Sequence, residues 1–342
     1  MRAFVITGPG TAAVQEVEPP VAASGEVVID VERAGVCGTD VEFFTGHMQY
    51  LQDGHATFPM RIGHEWMGTV TSVGDGVDSS WIGQRVTGDT MLGCGSCRRC
   101  VTGYQHVCEC RQEVGIRGGR AGALAEQLAV PARSLHILPP HLDAALGALV
   151  EPGGNALRSV QGADVHEGDR VLVLGPGTIG LLVGMFARAA GAEVHVLGRS
   201  ERSLDFAERL GFEHVWTQAS LPGLPFDAVI DASNAPAMPA KALELVEPGR
   251  RVVFVGLAGS PSEVDTRTMA LKDVTAVGVL SASPGLAGTI AEYAEGRVDP
   301  RPLVAATVGL DGVADVLAGG RPAGAGDGPK IHVDPRIPLS AV

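Results

Sequence analysis

The chain is poor in positive charge. Its 342 residues include 26 Lys and Arg against 39 Asp and Glu, which gives a formal net charge of −13 at pH 7. Only three of the basic residues are lysines, and Lys and Arg form no run longer than two. Nucleic acids and acidic membrane surfaces are bound through a concentrated basic surface. We therefore expect neither a nucleic-acid partner nor a membrane partner.

Long apolar runs and abundant cysteine are missing as well. No segment approaches the roughly eighteen uninterrupted apolar residues of a membrane span, and the N-terminal residues lack the apolar stretch of a secretory signal. Six cysteines in 342 residues are too few for a disulfide framework, and their clustering indicates metal binding. We therefore expect a cytoplasmic protein. With 45% hydrophobic and 19% charged residues, the composition is typical of a globular protein of about two domains.

A glycine-rich stretch, Val171–Gly180, reads V-L-V-L-G-P-G-T-I-G. It predicts a buried strand, a tight turn and the start of a helix. In the G-x-G-x-x-G pattern the first glycine permits the turn, the second lets a pyrophosphate approach, and the third lets the helix pack on the strand. The free N–H groups at the helix start then face the phosphates. The predicted dinucleotide-binding residues are Gly175, Pro176, Gly177, Thr178, Ile179 and Gly180.

Strands alternate with helices after this turn, which predicts a parallel, doubly wound sheet. The predicted strands are Ala192–Leu197, Ala228–Asp231, Arg251–Val255 and Val277–Leu280, and the predicted helices are Ser203–Leu210, Ala237–Val246 and Gly285–Glu295. The Gly- and Pro-rich segment Gly319–Pro329 is predicted to be a surface loop.

The second strand ends in G-R-S-E-R, residues Gly198–Arg202, without the carboxylate that holds the ribose 2′-hydroxyl of NAD. We therefore expect a cofactor contact at Gly198, and a 2′-phosphate bound by Arg199 and Ser200. Charge-assisted hydrogen bonds of this kind contribute about 1.5–3 kcal/mol each. NADP is favoured and NAD remains possible. In the alternative interpretation the arginines are merely solvated.

Four cysteines form the pattern C-x2-C-x2-C-x7-C through Cys94, Cys97, Cys100 and Cys108. Four thiolates at this spacing close a tetrahedron around one zinc ion, so the metal would be structural. Bacterial iron–sulfur motifs begin similarly but continue with x3-C-P, which is absent here. The sixth cysteine, Cys110, is left over and is expected to be a passive thiol.

A second set of metal-binding residue types is spread more widely. Cys37 lies in G-V-C-G-T-D, which suits an exposed loop, and His64 and Glu65 lie together in R-I-G-H-E-W-M-G. Cys, His and a carboxylate with an open fourth position are typical of a catalytic zinc site. The alternatives are a small buried Cys and a structural His–Glu pair.

Taken together, these motifs resemble the zinc-dependent medium-chain alcohol and polyol dehydrogenase family, including its sorbitol-, threonine- and glucose-dehydrogenase-like members. The four signatures occur in the order and spacing of that family, and the similarity of pattern extends from about residue 2 to residue 335. The resemblance implies an α/β protein with a GroES-like, mostly β catalytic domain and a Rossmann domain. The implied domains are 1–153 with a structural zinc lobe at about 93–110, 154–295 for the cofactor, and 296–342 returning to the catalytic domain. It also implies a homodimer or homotetramer.

The resemblance also assigns catalytic roles. Cys37 and His64 would bind the catalytic zinc, while Glu65 and Glu151 compete for the remaining position. Thr39 would pass a proton outward. Five residues after the ligand cysteine, many family members have a His that relays this proton, and Glu42 stands there instead, as in the glucose dehydrogenases.

Two further residues fall where the glucose-dehydrogenase-like members contact a sugar. These are Glu113 in E-V-G-I and Asn155 in E-P-G-G-N, and Glu151 would also face the substrate. The alternative is that Glu113 and Asn155 are solvated loop residues.

From these observations we expect an oxidoreductase with two zinc ions per chain and NADP as the favoured cofactor. Its substrate would be a small polyhydroxy molecule, a sugar, polyol or cyclitol, in which the carbon bearing a secondary hydroxyl exchanges a hydride with the nicotinamide. The alternatives are a simple alcohol or aldehyde dehydrogenase, or a non-catalytic nucleotide-binding protein.

Overall fold

The computed structural model describes residues 1–339. Two compact units account for them: one contains Met1–Glu151, Leu303–Gly326 and the segment from Lys330 onward, and the other contains Pro152–Pro302 with Asp327–Pro329. The chain passes from the first unit to the second after residue 151, two residues before the expected boundary at 153/154. It returns to the first unit after residue 302, seven residues after the expected boundary at 295/296. Among the described residues, no helix combines the length and the apolarity needed to cross a bilayer.

The first unit is mostly β. Its strands are β1 (Arg2–Gly8), β2 (Thr11–Glu16), β3 (Glu26–Gly35), β4 (Glu65–Val73), β5 (Arg85–Gly88), β6 (Met91–Leu92), β7 (Gln112–Glu113), β8 (Gln127–Pro131), β9 (Leu135–Ile137), β16 (Val304–Val308) and β17 (Lys330–Val333). Its helices are short: α1 (Gly38–Thr45), α2 (Gln49–Gln52), α3 (Arg98–Val101), α4 (Ala144–Ala148) and α11 (Val313–Leu317).

A seven-stranded sheet organises this unit, with strand order β16–β17–β3–β4–β5–β9 and with β8 also paired to β3. Alternate residues of strand β3, Val27, Ile29 and Val31, lie on one face of the sheet and enter the core, and Val28 is buried as well. The core also contains Phe43 and Trp66, both with no exposed surface.

The C-terminal strand β17 is antiparallel to β3, with His332 opposite Gly35. Gly35 in turn lies opposite Glu65, the first residue of β4. This register places β17 beside the beginning of β4, although almost 270 residues separate them in sequence. Such a pairing has no local signal, and the sequence did not predict it.

The second unit is an α/β domain. Its strands are β10 (Arg170–Leu174), β11 (Glu193–Leu197), β12 (His214–Trp216), β13 (Phe226–Asp231), β14 (Val246–Phe254) and β15 (Thr275–Gly278). Its helices are α6 (Thr178–Ala189), α7 (Glu201–Arg209), α8 (Met238–Leu245), α9 (Thr266–Leu271) and α10 (Leu286–Ala294), and α5 (Val150–Gly162) begins at the end of the first unit. Short 3-10 turns lie at Ser79–Trp81, Gln105–Val107, Ala132–Ser134, Ser283–Gly285, Arg301–Leu303 and Leu310–Gly312.

All six strands of this unit are parallel, in the order β12–β11–β10–β13–β14–β15. In chain order this is 3-2-1-4-5-6, the arrangement of the Rossmann fold. The predicted doubly wound sheet is therefore confirmed, as is the loop character of residues 319–329.

Three details differ from the sequence prediction. Strand β12 was missed because its three residues give too short a pattern. The last strand begins at Thr275 and ends at Gly278, so the predicted Val277–Leu280 was two residues late. Helices α1 and α5 were also missed, since glycines at their beginnings obscure the helical period.

Candidate active site and metal centres

Cys37 lies immediately before α1, after β3 has ended. Its backbone N–H donates to Asp40 Oδ2 at 2.9 Å, an arrangement that fixes the start of the helix. The side chain is half-buried, so the expectation of an exposed loop was wrong. The cysteine sulfur is thereby held in place by the helix that follows it.

Asp40 joins two segments of the site. Its Oδ1 accepts a hydrogen bond from the Gly63 N–H at 3.2 Å, while Oδ2 holds Cys37. The carboxyl group has no exposed surface, and burial raises its pKa. Gly63 itself has φ +98°, and a Cβ there would lie 2.7 Å from the Leu124 nitrogen. The turn before the histidine therefore requires glycine.

Cys37, His64 and Glu65 converge at one point. Their candidate ligand atoms all lie within 4.8 Å of one another, although 26 residues separate the cysteine from the histidine. His64 is buried, and its Nδ1 has no hydrogen-bond partner among residues 1–339. Burial lowers the pKa of His64, but the hydrogen bond with Cys37 and the charges of Asp40 and Glu151 outweigh it and leave the pKa well above its usual value. The site thus favours positive charge, and its donor set suits zinc.

Glu65 has a cationic partner that the sequence analysis missed. Lys330 Nζ donates to Glu65 Oε1 at 2.8 Å and to Oε2 at 2.7 Å, and to the Val36 carbonyl at 2.9 Å. Both side chains are buried. Burial lowers the pKa of Lys330, but the charges of Glu65, Cys37 and Asp40 and the hydrogen bonds to Glu65 together outweigh it and raise the pKa, so the lysine is charged. The available signal was a lysine leading the apolar strand K-I-H-V in a chain with only three lysines.

The other residues expected near this site, Thr39, Glu42 and Glu151, lie on two helices and differ in their exposure to solvent. Thr39 is in the first turn of α1 and half-buried, and Glu42 lies exposed further along the same helix. Glu151 is buried in the first turn of α5, and its charge contributes to the raised pKa of His64. The structure thus leaves both Glu65 and Glu151 near the histidine.

Glu113 is buried and is not a solvated loop residue. Its Oε1 accepts hydrogen bonds from Arg111 Nε at 2.7 Å and from the Tyr50 hydroxyl at 3.2 Å, and Arg111 also reaches that hydroxyl. Asn155, in the second unit, is half-buried within α5, so it is not a loop residue either. Their expected contact with a substrate stays a prediction.

The four-cysteine lobe has the geometry of a closed metal site. The sulfurs of Cys94 and Cys100 are 3.9 Å apart, those of Cys97 and Cys108 are 3.7 Å apart, and all four lie within 4.8 Å of one another. A tetrahedron with Zn–S bonds of about 2.3 Å has edges of about 3.8 Å. Cys110 is exposed and is not part of this group.

The lobe thiols differ in acidity. Backbone N–H groups of Ser96 and Cys97 lower the pKa of Cys94 to about 6, whereas burial raises the pKa of Cys100 to about 12. The Cys94 thiolate therefore forms readily at neutral pH, and the Cys100 thiolate does not. A metal ion that binds all four sulfurs must displace the proton of Cys100, so its affinity rises with pH.

The glycine-rich turn has the predicted form. Gly175 follows β10 with φ +98°, and Gly177 is the residue before α6. A Cβ on Gly180 would lie 1.8 Å from the Gly175 carbonyl oxygen, whereas a Cβ on Gly177 would meet nothing within 4 Å. Two of the glycines thus permit the tight turn, and Gly177 leaves open space through which a phosphate can approach the helix start. Pro176, Thr178 and Ile179 complete this half-buried turn.

The end of β11 lies at the same sheet edge, because Leu197 pairs with Leu174. Gly198 packs so closely on the turn that a Cβ there would lie 2.8 Å from Pro176 Cγ. Arg199 is exposed and has no ion pair or hydrogen bond within residues 1–339. The Ser200 hydroxyl instead caps α7 by accepting from the Ser203 N–H.

Glu193, His195 and His214 form a third group within 4.8 Å in the second unit. Both nitrogens of His195 are in use, since Nε2 lies 2.7 Å from Glu193 Oε1 and Nδ1 accepts from the Trp216 N–H at 3.0 Å. The tryptophan donor places the imidazole proton on Nε2. A metal ion on Nε2 would force a proton onto Nδ1, against the Trp216 N–H. This group is therefore a satisfied hydrogen-bond network, not a metal site.

Comparison with known proteins gives a consistent result. Residues 23–140 match the family described as "Alcohol dehydrogenase GroES-like domain", and residues 178–295 match "Zinc-binding dehydrogenase". The chain is 31% identical to an L-threonine 3-dehydrogenase of Saccharopolyspora erythraea, over 82% of this chain and 83% of that protein. It is 29% identical to a 2-dehydro-3-deoxy-L-galactonate 5-dehydrogenase of Pseudoalteromonas atlantica, over 86% of this chain and 88% of that protein.

A similar solved structure is the short chain alcohol dehydrogenase rspB of Escherichia coli CFT073, complexed with NADH. The two structures have a TM-score of 0.89 at 26% identity, over 98% of this chain and 99% of the other.

The buried ion pair predicts a large effect at Lys330. The Lys330→Met variant leaves the Glu65 charge buried and unpaired, so its free energy of unfolding should fall by about 3 kcal/mol or more. The matched control is Lys241→Met, which removes an exposed pair with Glu244 and should cost less than about 1 kcal/mol. Urea denaturation of both variants measures the difference. Equal stability of the two variants would contradict the ion pair.

Proposed function

The chain belongs to the zinc-dependent medium-chain dehydrogenase family, and it is an oxidoreductase of the alcohol and polyol type. From this premise we propose that it interconverts a secondary alcohol of a sugar, polyol or cyclitol with the ketone or lactone, and that NADP is its favoured cofactor. The observation that carries the proposal is the convergence of Cys37, His64 and Glu65 in a unit whose partner domain holds a dinucleotide-binding turn.

Two zinc ions per chain fit the residues present. Cys37 and His64 would hold the catalytic ion, with Glu65 or Glu151 as the third ligand, and the four lobe cysteines would hold the structural one. The convergence of the three candidate ligands and the sulfur spacings of the lobe support this assignment. When bound, the catalytic ion supplies Lewis-acid polarisation of the alcohol oxygen.

The chain's own residues orient this site. Asp40 holds the cysteine and histidine segments together, and Lys330 holds Glu65 through both carboxylate oxygens. Because Lys330 neutralises Glu65, the negative charge left for a metal ion would come from Glu151 and from Cys37, whose thiol loses its proton when it binds a metal ion. Thr39, in the turn after Cys37, would receive a proton released by the alcohol, and Glu42, exposed further along the same helix, would receive it nearer the solvent.

The cofactor preference depends on Arg199. Its guanidinium has no partner in the described part of the chain, and it follows the strand end at which a ribose is bound in this fold. Ser200 contributes less than the sequence suggests, since its hydroxyl already caps α7. The related rspB structure holds NADH, so the preference for NADP rests on this chain's own arginine.

The polyhydroxy substrate is supported by two observations. A relative of this chain bears the name of a galactonate dehydrogenase, and the first unit buries a polar group of Glu113, Arg111 and Tyr50. Hydroxyl-rich ligands are recognised by such fixed polar groups. Glu113, Glu151 and Asn155 are proposed as substrate contacts. A homodimer or homotetramer, and a cytoplasmic location, likewise remain proposals.

The decisive experiment is a rate measurement. Initial rates of reduced-nicotinamide formation are recorded for sugars, polyols, cyclitols and simple alcohols, each with NADP and with NAD, before and after zinc chelation. We expect a chelator-sensitive rate on a polyhydroxy substrate with NADP. A rate confined to simple alcohols would refute the substrate class, and a rate confined to NAD would refute the cofactor preference.

The two metal centres are separable by mutation. Cys37→Ala should abolish turnover while leaving the melting temperature and one zinc per chain, because the lobe is intact. Cys97→Ala should instead lower the melting temperature, since a structural zinc contributes directly to folding. Zinc content, melting temperature and turnover are measured on both variants. Full turnover of Cys37→Ala, or unaltered zinc content in Cys97→Ala, would contradict the respective assignment.

The role of Arg199 is tested by Arg199→Gln. Loss of a charge-assisted contact with the 2′-phosphate should raise the KM for NADP about tenfold to hundredfold and leave the KM for NAD nearly unchanged. The matched control is Arg267→Gln on the exposed start of α9, which should alter neither value. An equal rise in the KM for NADP and the KM for NAD would mean that Arg199 does not bind the 2′-phosphate.

A further inference from the structure

A cavity of about 360 Å³ lies in the first unit, beside the β1–β2 hairpin. Two loops complete it, residues 56–61 and residues 116–121. It shares no lining residue with the catalytic and metal-binding sets described above. At about 30 Å³ per water molecule, its volume corresponds to a small organic molecule rather than a single ion.

The charge of the cavity lining is opposite to that of the whole protein. Three arginines, Arg61, Arg117 and Arg120, line it, and none of its thirteen lining residues is acidic. The Gln15 amide and the Thr57 hydroxyl add neutral hydrogen-bond donors. In a chain with a net charge of −13, three arginines converging on one cavity are a marked local concentration of positive charge.

Arg61 has no counter-charge. It forms no hydrogen bond and no ion pair with any side chain or carbonyl in residues 1–339, although it is half-buried. Burial lowers its pKa, and no neighbouring carboxylate opposes the shift. A half-buried guanidinium without a partner is costly unless something else supplies the negative charge.

The other two arginines are held in position by the fold. Arg120 Nη2 donates to Glu26 Oε1 at 2.6 Å, while its Nε is buried and has no partner in the described chain. The Arg117 guanidinium lies over the Tyr50 ring, 5.5 Å from its centroid. Because both side chains are already ordered, a ligand would lose less free energy in immobilising them.

The backbone between these arginines adds further donors. Gly118 and Gly119 have φ of +70° and +71°. Within residues 1–339, the N–H groups of Gly119, Arg120 and Ala121 donate to no carbonyl or side chain. Consecutive free N–H groups around left-handed residues form concave surfaces that bind anions.

We propose that this cavity is a binding site for a small molecule bearing a phosphate or carboxylate group. The oxyanion would be bound by Arg61, Arg117 and the free N–H groups. The apolar wall formed by Val5 and Val17 would cover the rest of the ligand. The site is separate from the proposed catalytic function and does not depend on it.

The test is calorimetric titration of the full-length protein with inorganic phosphate at constant ionic strength. Saturating cofactor is present throughout, so that the dinucleotide turn is already occupied. The wild type should bind one phosphate per chain. Arg61→Gln and Arg117→Gln should each weaken binding about tenfold or more, Arg61→Lys should weaken it less, and Arg267→Gln should not change it. A parallel titration with acetate distinguishes the two oxyanions, and the tighter one identifies the group that the site prefers.

Two results would overturn the proposal. The first is a wild-type protein that binds neither phosphate nor acetate at concentrations up to about 10 mM, since three arginines should bind such anions well below that concentration. The other is phosphate binding that is unchanged in Arg61→Gln and Arg117→Gln but lost in Arg199→Gln, because the anion would then occupy the cofactor site. Arg61 has no partner to lose, so its variants should keep the wild-type melting temperature, which is measured alongside.

Discussion

The ion pair between Lys330 and Glu65 is the interaction on which the candidate metal site depends. A carboxylate and an ammonium group, both buried, are stable together only because each hydrogen-bonds the other and the Val36 carbonyl accepts the remaining hydrogen bond from Lys330 Nζ. The pair fixes β17 against the beginning of β4, and therefore fixes the backbone that carries His64. It also decides how much negative charge the site offers to a cation, since Glu65 is already neutralised when a metal ion arrives.

Asp40 has a similar role at shorter range. One carboxylate binds the backbone beside Cys37 and the backbone before His64, so the two ligands belong to a single rigid arrangement. Burial disfavours the ionised form of the Asp40 carboxyl group and therefore raises its pKa. Lys330 and Asp40 together show that the candidate metal-binding residues are positioned by buried charged groups outside the candidate ligand set. The identity of the residues that position such a site is thus as important as the identity of its ligands.

Positive charge is used sparingly in this acidic chain, and its placement is informative. The buried Lys330 is paired with a carboxylate, whereas the half-buried Arg61 has no carboxylate beside it. Arg199 is exposed and unpartnered at the strand end where the cofactor's ribose is expected. Arg61 and Arg199 are therefore the cations that we propose to bind an anion from outside the chain.

The sequence by itself determined the features that depend on local pattern. The glycine turn, the alternation of strands and helices, the four-cysteine spacing and the motifs around Cys37 and His64 are each contained in a few consecutive residues, so they were predictable. Tertiary structure decided what depends on distant pairing. The contact of Lys330 with Glu65, the burial of Glu113 against Arg111 and Tyr50, and the convergence of Arg61, Arg117 and Arg120 join segments separated by tens to hundreds of residues. No local periodicity encodes these contacts, because they arise only when the sheet register brings the segments together.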